Sequence, residues 1–256
     1  MSRFPADLLE PVAALARQAA VAILEVYGEQ FTVDIKADRS PLTQADRRAH
    51  EILSRGLAAL DPALPVLSEE SAAAPWHERR HWSRYWLVDP LDGTREFIQR
   101  NGEFTVNVAL IEHGVPVLGV VHVPVTGLSY RGALGSGAHC HGADGSVQAL
   151  AVTHHTGGPL RVVASRSHAD DTTRAFLERI GPHEVVSMGS SLKICLVAQG
   201  RADLYPRFGP TSEWDTAAAD GVLRAAGGEL TRLDLTPLRY NTKDSLLNPP
   251  FLAFGA

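Results

Sequence analysis

The sequence predicts a mixed α/β protein of two lobes, the first built on a largely antiparallel sheet and the second on an α/β layer. Three observations support this. Two amphipathic helical patterns open the chain, two β-rich runs then flank His113-Gly114, and beyond Pro159 short apolar runs alternate with helical ones. With 256 residues the chain has enough material for two small lobes sharing one core. The expected lobes are residues 1–156 and 157–256.

The first helix is expected over Asp7 to Tyr27, with apolar Val12, Ala16, Ala19, Ile23 and Val26, an Asp7/Glu10 capping box, and Gly28 just past its end. A short strand, Phe31 to Lys36, should follow. Thr43 to Leu60 carries a second apolar stripe through Ala45, Ala49, Ile52, Leu53, Leu57 and Leu60, closed by Asp61-Pro62. Pro65 to Leu67 reads as a strand running into Ser68-Glu69-Glu70. After a polar loop, Tyr85 to Val88 is an apolar strand expected to stop at Asp89-Pro90, with Asp92-Gly93-Thr94 as the turn. Phe104 to Glu112 and Val115 to Pro124 form a hairpin, and Ser129 to Leu134 adds a strand.

Gly135 to Pro159 is rich in Gly, His and small polar residues and is expected to be the loop between lobes. His139, Cys140 and His141 lie in it without the spacing of a zinc site, so they are read as part of a solvent loop. The second lobe should then run strand (Arg161 to Ala164), helix (Thr172 to Ile180), strand (Glu184 to Ser187), helix (Leu192 to Gln199), strand (Ala202 to Tyr205) and helix (Glu213 to Ala226).

Composition narrows the function. The chain is 45% hydrophobic with a formal charge of −5, and no Lys/Arg block offers the basic surface that a nucleic-acid backbone demands. Two cysteines cannot build a secreted disulfide framework, and neither a signal peptide nor a membrane span is expected. A cytoplasmic protein is expected, with peripheral attachment to the cytoplasmic face of the inner membrane left open.

Four acids stand at element ends: Glu69, Asp89, Asp92 and Asp215. Hard oxygen ligands of this kind suit Mg²⁺, and a pair of such ions can serve an in-line phosphoryl displacement. Asp89 and Asp92 are close enough for each to meet a different ion, with the Leu91 carbonyl between them. Other readings stay open for each residue alone. Asp-Pro and Asp-Gly are ordinary turns, Ser212 to Asp215 fits a capping box, and Glu69-Glu70 could be a solvated pair.

Their joint context is more specific. Trp86-Leu-Val-Asp-Pro-Leu-Asp-Gly-Thr94, with Ser68-Glu-Glu-Ser71 before it and Glu213-Trp-Asp-Thr-Ala-Ala218 far downstream, resembles the signature of the inositol monophosphatase superfamily. Asp38 to Asp46, Asn101 to Asn107 and Gly189-Ser-Ser-Leu-Lys193 extend the resemblance over most of the chain. Within that superfamily the sequence is similar to the bacterial CysQ-type 3′(2′),5′-bisphosphate nucleotidases.

The resemblance implies a layered αβαβα sandwich and a lithium-sensitive, Mg²⁺-dependent phosphatase of sulfur assimilation, converting 3′-phosphoadenosine 5′-phosphate to AMP and phosphate. It implies that Glu69, Asp89 and the Leu91 carbonyl hold a first ion, and Asp89, Asp92 and Asp215 a second. Asp46, Glu69 and Thr94 would orient or deprotonate the attacking water, although Asp46 also fits the N3 position of a Thr43 cap. Glu69, Leu91, Asp92, Gly93, Thr94 and Asp215 would border the substrate. The N–H groups of Gly93 and Thr94 precede a short helix candidate, Arg95 to Arg100, and could receive phosphate.

By the same resemblance His168, within Ala164-Ser-Arg-Ser-His168, would meet the adenosine, and Ser190, Lys193 and Arg207 the rest of the nucleotide. Read locally, Lys193 could instead snorkel to solvent and Arg207 pair with a surface acid. The rivals are a phosphatase of inositol phosphates or fructose 1,6-bisphosphate, and a non-catalytic phosphate-binding regulator on the same fold.

Overall fold

The structure is a computed structural model, described here for residues 4–35, 41–165 and 171–255. His168 and parts of two sequence motifs, Asp38 to Asp46 and Ala164 to His168, lie outside the described residues. In chain order the elements are α1 (Pro5–Gly28), β1 (Val33–Ile35), β2 (Pro41–Thr43), α2 (Gln44–Leu60), β3 (Val66–Ser68), α3 (Trp76–Arg79), β4 (Arg84–Asp92), α4 (Thr94–Ile98), β5 (Thr105–Glu112), β6 (Val115–His122), β7 (Ser129–Ala133), β8 (Gly137–His141), β9 (Val147–Leu150), β10 (Leu160–Ser165), α5 (Asp171–Arg179), β11 (His183–Met188), α6 (Leu192–Ala198), β12 (Leu204–Arg207), α7 (Glu213–Ala225), β13 (Gly228–Arg232) and β14 (Phe251–Gly255).

Strands β3 to β9 form one seven-stranded sheet in sequence order, antiparallel except for the β3–β4 pair. The period-2 alternation of its strands sorts side chains between two cores. Trp86, Val88, Val106, Val108 and Val120 pack with the apolar stripes of α1 and α2 on one face. Leu87, Ala109, Ile111, Val121 and Tyr130 pack with α6 and α7 on the other. The far side of α6 and α7 meets a five-stranded sheet, ordered β11-β10-β12-β14-β13, through Tyr205, Leu230, Phe251 and Ala253. Helix α5 lies outside it, Phe176 stacking on Phe208 at 5.3 Å. The layers are those of an αβαβα sandwich.

The β5–β6 hairpin turns where expected. His113 (φ 48°) and Gly114 (φ 75°) both take the left-handed conformation that a two-residue turn requires. A second glycine constraint lies at the centre: Gly119 on β6 meets Gly221 on α7 so closely that a Cβ on Gly119 would stand 1.9 Å from the Ala218 carbonyl oxygen.

Several expectations need correction. Gly135 to Pro159 is not simply a loop: β8 and β9 lie in it and complete the large sheet. Ala138 and Cys140 turn to the core and His139 and His141 to the opposite face, so the expected solvent loop is a strand. Two buried residues in five are too few for a legible alternation among so many glycines. Strand β4 does not stop at Pro90 but runs on to Asp92. Strands β2, β13 and β14 and helix α3 were not anticipated; β14 follows Asn248-Pro249-Pro250, which reads as a turn. Helix α1 begins with Pro5 after an uncapped Phe4, not with an Asp7/Glu10 box, and it includes Gly28. Glu10 instead receives bonds from Arg17 (2.7 Å) and Arg131 (2.5 Å).

Beside that cluster, His122 is 4% exposed and its Nδ1 has no hydrogen-bond partner among the described residues. Burial, then the charges of Arg17 and Arg131, push its pKa down to about 4. The unfolded chain binds this proton near pH 6.5, so His122 favours the folded state above that pH, and the contribution is lost as pH falls toward 4. Denaturant titrations at pH 7 and pH 4.5 should show the parent losing about 2 kcal/mol more than His122→Asn. Equal losses would mean that His122 is not the group titrating.

Among the described residues no helix is long and apolar enough to cross a membrane. Cys140 and Cys195 are both buried and unpaired.

Candidate active site

The site is built at the C-terminal end of β4. Strand β3 runs parallel to it, and the Glu69 N–H continues their ladder to the Val88 carbonyl at 3.1 Å, which brings Glu69 beside Asp89. Between Asp89 (opposite Asn107) and Asp92 (opposite Thr105), β4 has one residue more than β5. This is a bulge, and Pro90, which has no N–H to give a ladder, sits within it. The bulge lets Asp89 and Asp92 turn toward one space. Asp89 Oδ1 accepts the Leu91 N–H at 3.1 Å, and the Leu91 carbonyl accepts from Thr94 Oγ1 at 3.4 Å.

Asp46 approaches from α2. It is the N3 partner in a capping box, its Oδ2 accepting from the Thr43 N–H (2.7 Å) and Oγ1 (2.6 Å). Its Oδ1 lies 3.3 Å from Thr94 Oγ1. The capping role and proximity to the site, which sequence left as alternatives, are therefore held by the same carboxylate. Asp215 repeats the device on α7: it is N3 of a box with Ser212, whose N–H it accepts at 2.8 Å.

Asp92 has a prepared socket. Its Oδ2 accepts from the Ser191 N–H (2.5 Å), Asn107 Nδ2 (3.4 Å) and Thr105 Oγ1 (3.5 Å). Ser191 also bonds Asn107 Oδ1 and Thr105 Oγ1, both at 2.9 Å. Ser190 beside it is held at φ 47°. One cleft is lined by Asp92, Gly93, Ser190, Lys193, Arg207 and Asp215. Lys193 does not snorkel: it is 9% exposed, with Nζ 5.8 Å from the centre of the Tyr205 ring. Burial lowers its pKa, an effect opposed by the charge of Asp92. Arg207 bonds the Pro210 carbonyl at 3.1 Å, and among the described residues no acid forms an ion pair with it. Gly93, at φ 91°, precedes a helix of a single turn.

The chain as a whole is similar to known proteins. The family model of the inositol monophosphatase family matches residues 6–253. The chain belongs to the inositol monophosphatase family. It is 50% identical to proteins named 3′(2′),5′-bisphosphate nucleotidase CysQ from Shigella flexneri and Escherichia coli K12, over 95% of this chain and 98% of each relative. A crystal structure of CysQ from Bacteroides thetaiotaomicron superposes with a TM-score of 0.84 at 42% identity, covering 96% of this chain and 97% of that one. An inositol monophosphatase from Anabaena gives a TM-score of 0.77 at 25% identity, covering 98% of this chain and 91% of that one.

In this family member the acids crowd one another. Burial, followed by repulsion from Glu69, Asp92 and Asp215, raises the Asp89 pKa well above the usual carboxylate range. Burial raises Asp92, against the charge of Lys193 and the Ser191 N–H. Burial and then Asp92 push Asp215 up to about 8. Such a set of hard oxygens fits Mg²⁺, whose charge would favour their ionised forms. Among the described residues no three His, Cys, Asp or Glu side chains converge closely enough to hold an ion unaided. An ion here would complete its shell with carbonyl, water and phosphate oxygens, as Mg²⁺ commonly does.

Asn107, Thr105 and Ser191 carry structural weight that sequence reasoning did not assign. They lay inside quoted motifs, but only the β4–β5 register and the Gly189–Ser191 turn show that all three converge on Asp92.

Proposed function

We propose that this chain hydrolyses the 3′-phosphate of 3′-phosphoadenosine 5′-phosphate, yielding AMP and phosphate, with Mg²⁺ as cofactor. One observation supports it above the others. Asp92 and Asp215 line one cleft with Lys193 and Arg207, in a chain half identical over nearly its whole length to proteins named 3′(2′),5′-bisphosphate nucleotidase. The lobe 1–156 would supply Glu69, Asp89, the Leu91 carbonyl and Asp92, and the lobe 157–256 Asp215. Glu69, Asp89 and Leu91 would hold one ion, and Asp89, Asp92 and Asp215 another. When bound, Mg²⁺ supplies positive charge that offsets the phosphate and lowers the pKa of water.

The protein's own groups handle the proton. Thr94 Oγ1 lies 3.3 Å from Asp46 Oδ1, so it can pass its hydrogen to that oxygen while its lone pair accepts one from the attacking water. Asp46 Oδ2 is meanwhile tied to Thr43, which fixes the plane of the carboxylate. The cationic pair Lys193 and Arg207 suits the second phosphate of a bisphosphate, and Ser190 and His168 complete the proposed nucleotide contacts. The buried thiols of Cys140 and Cys195 support a cytoplasmic setting.

The test is phosphate release from the adenosine bisphosphate, inositol 1-phosphate and fructose 1,6-bisphosphate, with Mg²⁺, without it, and with Li⁺ added. The nucleotide should be preferred over inositol 1-phosphate by at least about a hundredfold in kcat/KM, roughly 3 kcal/mol, because the cations of the cleft would go unpaired with a monophosphate. Preference for either sugar phosphate overturns the substrate, and no turnover of any of the three points to a regulator.

A further inference from the structure

The inference rests on the metal site proposed above, in which Glu69 and Asp89 come from one part of the chain and Asp215 from another. Besides the Ser212 box and the bonds from Asn248 Nδ2 to the Ser212 carbonyl and Thr216 Oγ1, a chain of buried polar contacts outside the cleft holds the start of α7, and with it Asp215. Arg79, at the end of α3, is 2% exposed and stacks on the Trp76 ring at 4.9 Å. Its Nη1 donates to Asn241 Oδ1 (2.6 Å) and the Lys243 carbonyl (3.1 Å), and its Nη2 donates to the Asp244 carbonyl. Asn241 Nδ2 donates back to the Arg79 carbonyl at 2.6 Å. Both ends of the Asn241 amide are thus returned to one residue 162 positions away.

The Asn241 N–H in turn donates to Glu213 Oε2 at 2.8 Å. Glu213 is the first residue of α7 and is 1% exposed. Its own N–H is taken by the Leu246 carbonyl at 2.8 Å, and Lys243 Nζ lies 4.0 Å from its Oε1. Asn241 holds the left-handed conformation, φ 52°, which places its N–H toward α7 while its amide faces Arg79. None of the three residues is among the described residues lining the cleft.

A buried arginine and a buried glutamate joined through one asparagine is a costly way to fill space, because each charge must be desolvated. Apolar side chains would fill it more cheaply but would not fix direction. The contacts link the segment that runs from Glu69 to β4 with the first turn of α7, so they bear on the distance between the two halves of the site. We propose that Arg79, Asn241 and Glu213 form a positioning strut that sets Asp215 against Glu69 and Asp89 and thereby tunes the affinity of the site for a divalent cation.

The test uses Mn²⁺ as probe, its binding to the substrate-free full-length protein read by electron paramagnetic resonance. Mg²⁺ activation, substrate KM and melting temperature are measured on the same preparations. Glu213→Ala and Asn241→Gly should each weaken Mn²⁺ binding about tenfold, the usual scale for groups that orient a ligand. The Mg²⁺ needed for half-activation should rise in parallel, while kcat at saturating Mg²⁺ and substrate KM stay within about twofold of the parent. Glu213→Gln, which keeps the acceptor for the Asn241 N–H, should restore near-parental binding, and the double variant should be no worse than either single one. Asn241→Gly retains the backbone N–H and tolerates the left-handed conformation, so it carries the test if Glu213→Ala fails to fold.

Lowered melting temperature with unchanged Mn²⁺ binding would overturn the strut as a positioning device and leave the metal reading intact. A parent protein that binds no Mn²⁺ would overturn the metal reading, and the strut's role with it.

Discussion

Asp89→Asn is expected to lower phosphate release by at least about a thousandfold, some 4 kcal/mol, while raising the melting temperature of the metal-free protein. The two effects share one cause. Asp89 is the acid proposed to serve both ions, and it is buried against Glu69, Asp92 and Asp215, all of which repel its charge. The amide is nearly isosteric and keeps an oxygen for the Leu91 N–H, 3.1 Å away, so the bulge should survive. Removing one negative charge from the group relieves repulsion that only a cation would otherwise offset, and loss of function buys stability, as is common where a site holds like charges together. Phosphate release and thermal melts in chelator test the pair. An active variant would remove Asp89 from the metal site, and a lower melting temperature would show that the acids do not strain the fold.

Gly119→Ala should be the most damaging single methyl group in the chain. The added Cβ would lie 1.9 Å from the Ala218 carbonyl oxygen and 3.0 Å from the Val222 nitrogen, both backbone atoms of α7. Neither can rotate aside, so the helix must move off the sheet. A cost of about 3 kcal/mol or more is expected. For a domain of this size that lowers the melting temperature by roughly 6 to 12 °C. Because α7 carries Asp215, activity should fall well before the variant unfolds. Gly28→Ala is the control: a Cβ there meets nothing within 4 Å, and its melting temperature should match the parent's within about 1 °C. Equal stability of the two variants would mean that β6 and α7 can separate without penalty.

How much of this was legible beforehand depended on whether a residue's role was local. Helices α1, α2 and α7 announced themselves through long apolar stripes, and the β5–β6 hairpin through His113-Gly114. Strands β8 and β9 did not, because glycines and histidines masked two buried positions, and β13 and β14 depend on pairing with each other across a long loop. At the site, Asp89, Asp92 and Asp215 could be singled out because their motifs are contiguous. Their setting could not: the bulge at Pro90 exists only against the register of β5, and the socket of Asp92 is assembled from β5 and the turn before α6. Local pattern at Asp46 offered a cap or catalysis as alternatives, whereas the folded chain gives its two oxygens different partners.

That division of one carboxylate has a consequence for heat. Asp46 and Asp215 both ride on the opening turn of a helix and are tied to the backbone that starts it, at Thr43 and at Ser212. Opening turns loosen before the middle of a helix does. Warming that lets either start swing outward carries an acid away from the other acids of the site while both sheets remain whole, so the chemistry should fade over a range of temperatures in which the protein is still folded, and return on cooling.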